Sequence, residues 1–302
     1  MSIQKQGAVA LGLFDGVHQG HRAVLQAAVR QKKNGLIPGA FTFHAEMSAM
    51  KNAPGYLYPT DLKIHILETE CGMERIYAPP FEMVCEMSGE DFVREILCRR
   101  MNAAYAVCGN DFRFGKDARW DAEDLRRLGE KAGITIEVVD DVRCGGEKVS
   151  SSAVRSLLLE GDIKHANLLL GAPYTIFGAV IHGAQLGGSI GFPTINQIFR
   201  KGQIVPRYGV YAAEAQTPDG RWHRALTNIG MKPTVHYEGM PLAETHILGY
   251  EGDLYGQDVA VVLTKAIREE RQFESVEALR AQMEKDLGVV SQLSKSYHDT
   301  DT

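Results

Sequence analysis

The stretch LGLFDGVHQGHRAVL, Leu11 to Leu25, carries an apolar run into Phe14-Asp15-Gly16, sets two histidines three residues apart, and leads into a helical pattern. A strand ending near Leu13, a turn through Gly16 and a helix opening near Gly20 put unpaired backbone N–H groups and a positive dipole end at the loop. Glycines at positions 12, 16 and 20 let the backbone come close to a ligand. Two imidazoles there, His18 and His21, can donate hydrogen bonds to phosphate oxygens and stabilise growing negative charge. A surface turn that happens to carry two histidines is the competing reading, and H-x-G-H alone does not separate the two.

The strand–loop–helix order repeats through the first half of the chain. Strand-like runs AVALGL (8–13), LIPGAFTF (36–43), AYAVCG (104–109) and ITIEVVD (134–140) alternate with helical patterns at 20–33, 61–70, 89–101 and 121–133. Such alternation predicts an α/β domain, a parallel sheet with helices on both faces. From about residue 173 strand-like runs follow one another without helices: YTIFGAVIHG, GVYAAEAQT, HRALTNIG, AETHILGY and DVAVVLTKAI. That is the pattern of a β-barrel or sandwich. One amphipathic helix closes it, with Val276, Leu279, Met283 and Leu287 on a stripe, Ser275 as cap and Gly288 as stop. The expected division is 1–171, 172–289 and a polar tail, 290–302.

With 302 residues, 44% hydrophobic and 24% charged, the chain has the composition of an ordinary globular protein. A net charge of −5 argues against a nucleic-acid partner, though a small phosphorylated ligand needs only a local positive site. No stretch has signal-peptide or membrane-span character, so a cytoplasmic protein with no membrane partner is expected. The five cysteines (Cys71, Cys85, Cys98, Cys108, Cys144) fit neither a disulfide framework nor a zinc site.

Two further motifs fall at strand ends of the first half. In VSSSAVR, Ser152 and Arg155 are three apart, share a helix face and can bind a phosphate beside free N–H groups. The segment CGNDFRFGK, Cys108 to Lys116, is not a Walker loop, because Asp117 stands where Ser or Thr is required. There is no G-x-G-x-x-G either. Strand-end motifs of one parallel sheet converge on its carboxyl edge, which favours a nucleotide site. In the second half, Thr194 and Asn196 lie two apart on a strand and face one side. Both offer hard oxygens suited to magnesium. Glu244 is a single carboxylate in an otherwise apolar strand, AETHIL, and by itself says little.

Taken together, GLFDGVHQGH, CGNDFRFG and VSSSAVR resemble the motifs of the bifunctional riboflavin kinase/FMN adenylyltransferase family (bacterial FAD synthetases). PTIN, RYGVY, TNIGMKPTV, ETHIL, GDLYG and IREERQF resemble its kinase module. The resemblance implies an H-x-G-H nucleotidylyltransferase domain of Rossmann-like fold, followed by a six-stranded β-barrel with a C-terminal helix. It implies riboflavin, FMN and ATP as substrates, Mg2+ with the ATP, and FMN and FAD as products.

The resemblance also assigns roles. His18 and His21 meet the ATP phosphates and the transition state, and Ser151, Ser152 and Arg155 hold the leaving pyrophosphate. Gly12, Phe14, Asp15, Gly16, Gly20, Asn110 and Asp111 complete the first ligand site. Glu244 is the base for the riboflavin hydroxyl, Thr194 and Asn196 the magnesium ligands, and the loop Gly183–Gly191, with Gly187, covers phosphates. Arg268, Glu270 and Phe273 enclose the flavin. Phe43-His44-Ala45-Glu46-Met47 lacks the two prolines usual there. Two other readings stay open: a kinase whose first domain only binds nucleotide, and a non-catalytic flavin- or nucleotide-binding regulator.

Overall fold

The computed structural model describes residues 6–44, 55–183, 191–231 and 239–293. Its first unit is built on five parallel strands: β1 (Gly7–Leu11), β2 (Ile37–Phe41), β3 (Arg75–Tyr77), β4 (Ala103–Gly109) and β5 (Thr135–Val139). Their order is β3-β2-β1-β4-β5, so the chain reverses its direction of travel between β1 and β4. Every residue of β1 is buried, as a central strand covered on both faces requires. On one face Val9 and Leu11 join Phe41, Phe92, Ile96 and Leu125 in a single core. On the other lies α1 (Gln19–Arg30), which buries Val24, Leu25, Ala27 and Ala28.

Three more helices belong to this unit. They are α2 (Thr60–Thr69), α3 (Gly89–Asp91, continuing as a π-helix over Phe92–Arg100) and α4 (Ala122–Lys131). Asp121 caps α4 in a reciprocal capping box with Asp124, which contributes about 1 kcal/mol. Sequence patterning misses β3 and the hairpin β6 (Arg143–Cys144)/β7 (Glu147–Lys148). Strands of two or three residues are too short for an alternation to register.

After them come α5 (Ser151–Glu160) and α6 (Ile163–Leu170). The chain divides into two compact units after Ser152, which differs from the expected boundary at 171. Bonds made by the two helices explain the difference. The Asn167 amide on α6 donates to Leu263 O at 2.8 Å and accepts from Tyr174 N at 2.8 Å, and Arg207 N donates to Leu158 O on α5 at 2.9 Å.

The second unit is one antiparallel sheet of six strands: β8 (Tyr174–Ala179), β9 (Ile195–Ile198), β10 (Gly209–Gln216), β11 (Trp222–Met231), β12 (Pro241–Ile247) and β13 (Asp258–Glu269). The order is β8-β13-β10-β11-β12-β9, and Ile181 N donates to Asn196 O at 2.8 Å. That bond brings the continuation of β8 onto β9, so the sheet nearly closes into a barrel. Inside, the Thr227 and Thr245 hydroxyls bond each other at 2.9 Å. The Gln197 amide bonds Gly178 O and Val259 O at 2.9 and 2.8 Å.

The C-terminal helix spans Val276–Gln292, with Ser275 Oγ accepting from Ala278 N at 3.1 Å as expected. It does not stop at Gly288, and residue 290 does not begin a tail. Val290 is 1% exposed and packs with Val210, Ala212 and Leu226. The Arg224 guanidinium closes the helix end, donating to Ser291 O and Leu293 O at 2.8 and 3.0 Å. A side chain from a distant strand thus supplies the donors a C-capping glycine would otherwise arrange. Val276, expected on the buried stripe, is 57% exposed.

All five cysteines are free thiols. Desolvation pushes the Cys108 thiol up to about 12, and the Cys71 thiol up to about 11 against the pull of the Arg22 guanidinium. Neither supplies a thiolate near neutral pH.

Candidate active sites

At the carboxyl edge of the parallel sheet, the β1 turn is built from unusual backbone. Phe14 (φ 50°), Gly16 (φ 82°) and Val17 (φ 45°) all lie in the left-handed region, which costs a non-glycine residue roughly 1–2 kcal/mol. The turn is held by hydrogen bonds from outside it. Gly12 N donates to Phe41 O at 3.2 Å, Leu57 N to Asp15 Oδ1 at 2.8 Å, and Ser151 Oγ to Asp15 O at 2.8 Å.

His18 itself caps α1, its Nδ1 accepting from His21 N at 3.2 Å. That bond leaves the proton of a neutral ring on Nε2. The two imidazoles stack with centroids 3.6 Å apart and planes 14° from parallel. Gly20 explains its own identity, since a Cβ there would stand 3.2 Å from the His18 ring. The same Cβ position lies 3.7 Å from Val149 O. The residues that lead into α5 therefore abut the start of α1.

Phe14 and Asp15, expected at the ligand, are 1% and 5% exposed. Phe14 packs edge-on against His21 at 5.5 Å, and the Asp15 carboxylate is spent on Leu57 N. The Ser151 hydroxyl proton is likewise committed to Asp15 O, so this serine fastens α5 to the turn. Ser152 is exposed at the start of α5, and Arg155 is buried one turn further along.

Asn110 and Asp111 stand exposed at the end of β4, beside β1 at the topological switch point where such sheets bind ligands. Asp111 is bonded by Lys148 Nζ at 3.0 Å, and the same ammonium bonds Asp141 at 2.8 Å. Sequence reading missed Lys148. It lies on a two-residue strand, and its partners are distant in the chain.

The second site is on the outer face of the barrel. Asn196 (β9), Glu244 (β12) and Asn228 (β11) are direct register partners across adjacent antiparallel strands. Their side chains therefore share one face, with neighbouring Cβ atoms about 5 Å apart. Glu244 is half-buried, not in bulk water. Asn196 is 4% exposed, and its Oδ1 is a buried acceptor without a hydrogen-bond partner among the described residues. A buried unmet acceptor is costly unless something positive meets it. A Cβ on Gly183 would overlap the Asn196 amide, so a glycine is required at this position. Thr194 is two residues before Asn196, and His246 Nδ1 donates to Pro193 O at 2.8 Å to hold that segment on β12. The donor set and the unmet Oδ1 fit a hard cation such as Mg2+.

Gly191 is described, exposed and in the left-handed region (φ 88°), whereas Gly187 lies outside the described residues. The residues expected on the flavin side contact one another and the C-terminal helix. Arg268 spends Nε and Nη2 on the Asp286 carboxylate, both at 2.9 Å, and Asp286 is 2% exposed on the C-terminal helix. Arg268 is therefore a brace between barrel and helix. Phe273 lies under two guanidiniums, 5.6 Å from Arg268 and 4.9 Å from Arg271. Glu270 reaches back over Gly230, where a Cβ would overlap its carboxylate, and accepts from Asn228 Nδ2 at 3.4 Å. Asn228 escaped the sequence reading although TNIG was quoted, because only strand register places it beside Glu244.

A parallel sheet with a histidine pair at the start of α1, followed by a six-stranded barrel with a carboxylate in register with an amide, is the architecture of an α/β domain joined to a β-barrel domain. The sequence model of the FAD synthetase family matches residues 1–153, and that of riboflavin kinase matches residues 170–294. The bifunctional riboflavin kinase/FMN adenylyltransferase of Escherichia coli K12 is 35% identical over 94% of this chain and 91% of that protein. The Bacillus subtilis protein of the same name is also 35% identical, over the same shares. The chain belongs to the bifunctional riboflavin kinase/FMN adenylyltransferase family. A crystal structure of a Streptococcus pneumoniae protein described as a macrolide-efflux protein covers 97% of this chain and 96% of that one, with TM-score 0.81 and 28% identity. Among the described residues no helix is long and apolar enough to cross a membrane.

Proposed function

We propose that the barrel phosphorylates riboflavin with ATP to give FMN and ADP, and that the first unit with α5 then adenylates FMN with a second ATP, releasing pyrophosphate. The placement of Glu244 directly across from Asn196 carries the first half of this reading. Riboflavin presents a neutral alcohol, a poor nucleophile until a base takes its proton. Glu244 is that base. Thr194 and Asn196 would hold Mg2+, which supplies neutralisation of ATP phosphate charge. The segment from Gly183 to Gly191 would cover the phosphates, and Asn228 lies in register with Glu244 and bonds Glu270.

Adenylyl transfer asks for different groups. The nucleophile is the FMN phosphate, already ionised at neutral pH because its second pKa is about 6. No base is needed, only alignment and stabilisation of charge. The stacked imidazoles, the N-terminus of α1 and Ser152 would provide these, with Asn110, Asp111 and Lys148 at the neighbouring strand end, and Arg155 keeps the pyrophosphate role that the family resemblance implies. The five free thiols and the reliance on ATP support a cytoplasmic setting.

The test is a product assay with riboflavin, ATP and Mg2+, read separately for ADP and pyrophosphate. FMN followed by FAD is expected. FMN accumulating without FAD would reduce the first unit to a nucleotide-binding module.

A further inference from the structure

We propose that Lys63 is a positioning residue for adenylyl transfer: its buried ammonium holds the strained β1 turn that sets His21. This rests on the adenylylation reading of the first unit. Lys63 lies on α2, is 2% exposed and is among the largest fully buried side chains of the protein. An ammonium carries three donors, and burying it is tolerable only where they are used. Its Nζ donates to Leu13 O at 3.0 Å, to Thr42 Oγ1 at 3.1 Å and to Phe43 O at 2.5 Å. These acceptors lie just past the carboxyl ends of β1 and β2, so one cation ties the two strand exits together.

The Leu13 carbonyl is the focus of this network. It also accepts from Thr42 Oγ1 at 2.8 Å, so two donors fix the peptide that leads into Phe14. Phe14 is the residue held at φ 50°, and its ring edge packs on the His21 imidazole. Strained backbone persists only where surrounding contacts over-determine it. The contacts run from Lys63 through Leu13 and Phe14 to His21. A methionine would fill the same space and supply none of the three protons.

Lys63→Met in the full-length protein tests this. The kcat for FAD formation from supplied FMN should fall about 10–100-fold, the scale of a small misplacement of a reacting group. The KM for FMN should move less than about threefold, and riboflavin phosphorylation less than about twofold, which reports on folding of the rest of the chain. The His21 ring C–H resonance, assigned by its loss in His21→Ala, should shift, because a mere loss of stability would leave it in place. Thr42→Val, which removes one of the two donors to Leu13 O, should give a smaller fall in the same direction, and it carries the test if Lys63→Met does not fold. Wild-type protein that makes no FAD would sink the adenylylation reading itself. If wild type makes FAD, a variant with kcat within twofold and an unmoved His21 resonance overturns the role of Lys63 alone.

Discussion

The two sites are assembled in opposite ways. In the first unit the candidate groups sit beyond the strands, on a turn after β1, a strand end after β4 and the first turn of α1. In the barrel it sits on the strands themselves, as one row across β9, β12 and β11. The contrast follows the acceptor. An ionised phosphate needs donors and dipoles, which helix N-termini supply from backbone. An alcohol needs a carboxylate at a fixed distance from the phosphoryl-binding groups, and antiparallel register sets that spacing rigidly.

Glu244→Gln is the sharpest way to break the comparison. Loss of the base should cost riboflavin phosphorylation about 10²–10⁴-fold, while FAD formation from supplied FMN continues. A parallel fall of both activities, measured by separate ADP and pyrophosphate release, would mean the sites are not independent. His21→Ala is the mirror experiment. Removing one transition-state donor should lower adenylylation about 10²–10³-fold and leave the kinase rate alone. An unchanged FAD output would take the histidine pair out of the mechanism.

Smaller effects sharpen the picture. Asn196→Ala should raise the Mg2+ concentration needed for half-maximal kinase activity by about tenfold, without altering the Mg2+ dependence of adenylylation. If neither dependence moves, the unmet Asn196 oxygen is not a metal ligand. Arg224→Ala removes two charged hydrogen bonds from the end of the C-terminal helix. Thermal or denaturant unfolding of the second unit should report a loss of about 1–2 kcal/mol, with adenylylation from FMN unaffected.

Legibility differed between the sites for the same reason. The β1–α1 stretch could be read directly because strand end, turn glycines, histidines and helix are consecutive. Even there, His18 was read as a ligand-facing ring and not as the cap of α1, since capping by an imidazole nitrogen leaves no compositional signal. Lys63 left one faint trace: it lies three and four residues before the buried Ile66 and Leu67, on the apolar stripe of α2. Lysine there reads as a solvated face until the acceptors at Leu13, Thr42 and Phe43 are seen. The helix end at Gln292 was hidden likewise, because Arg224, which closes it, is 67 residues from Ser291.

What the amino-acid order settled unaided was the kind of each element and the residue types offered for chemistry: alternating periods for the α/β half, successive strands for the barrel, two histidines, a threonine, an asparagine and a glutamate. Those depend on local backbone preference and on the side chains themselves. Tertiary structure alone decided which groups meet. It paired Glu244 with Asn196 and Asn228, gave Asp15 and Arg268 partners at Leu57 and Asp286, and brought Lys63 to the Leu13 carbonyl. Long-range register and burial select partners by the free energy of the whole packed unit, and no window of neighbouring residues contains that quantity.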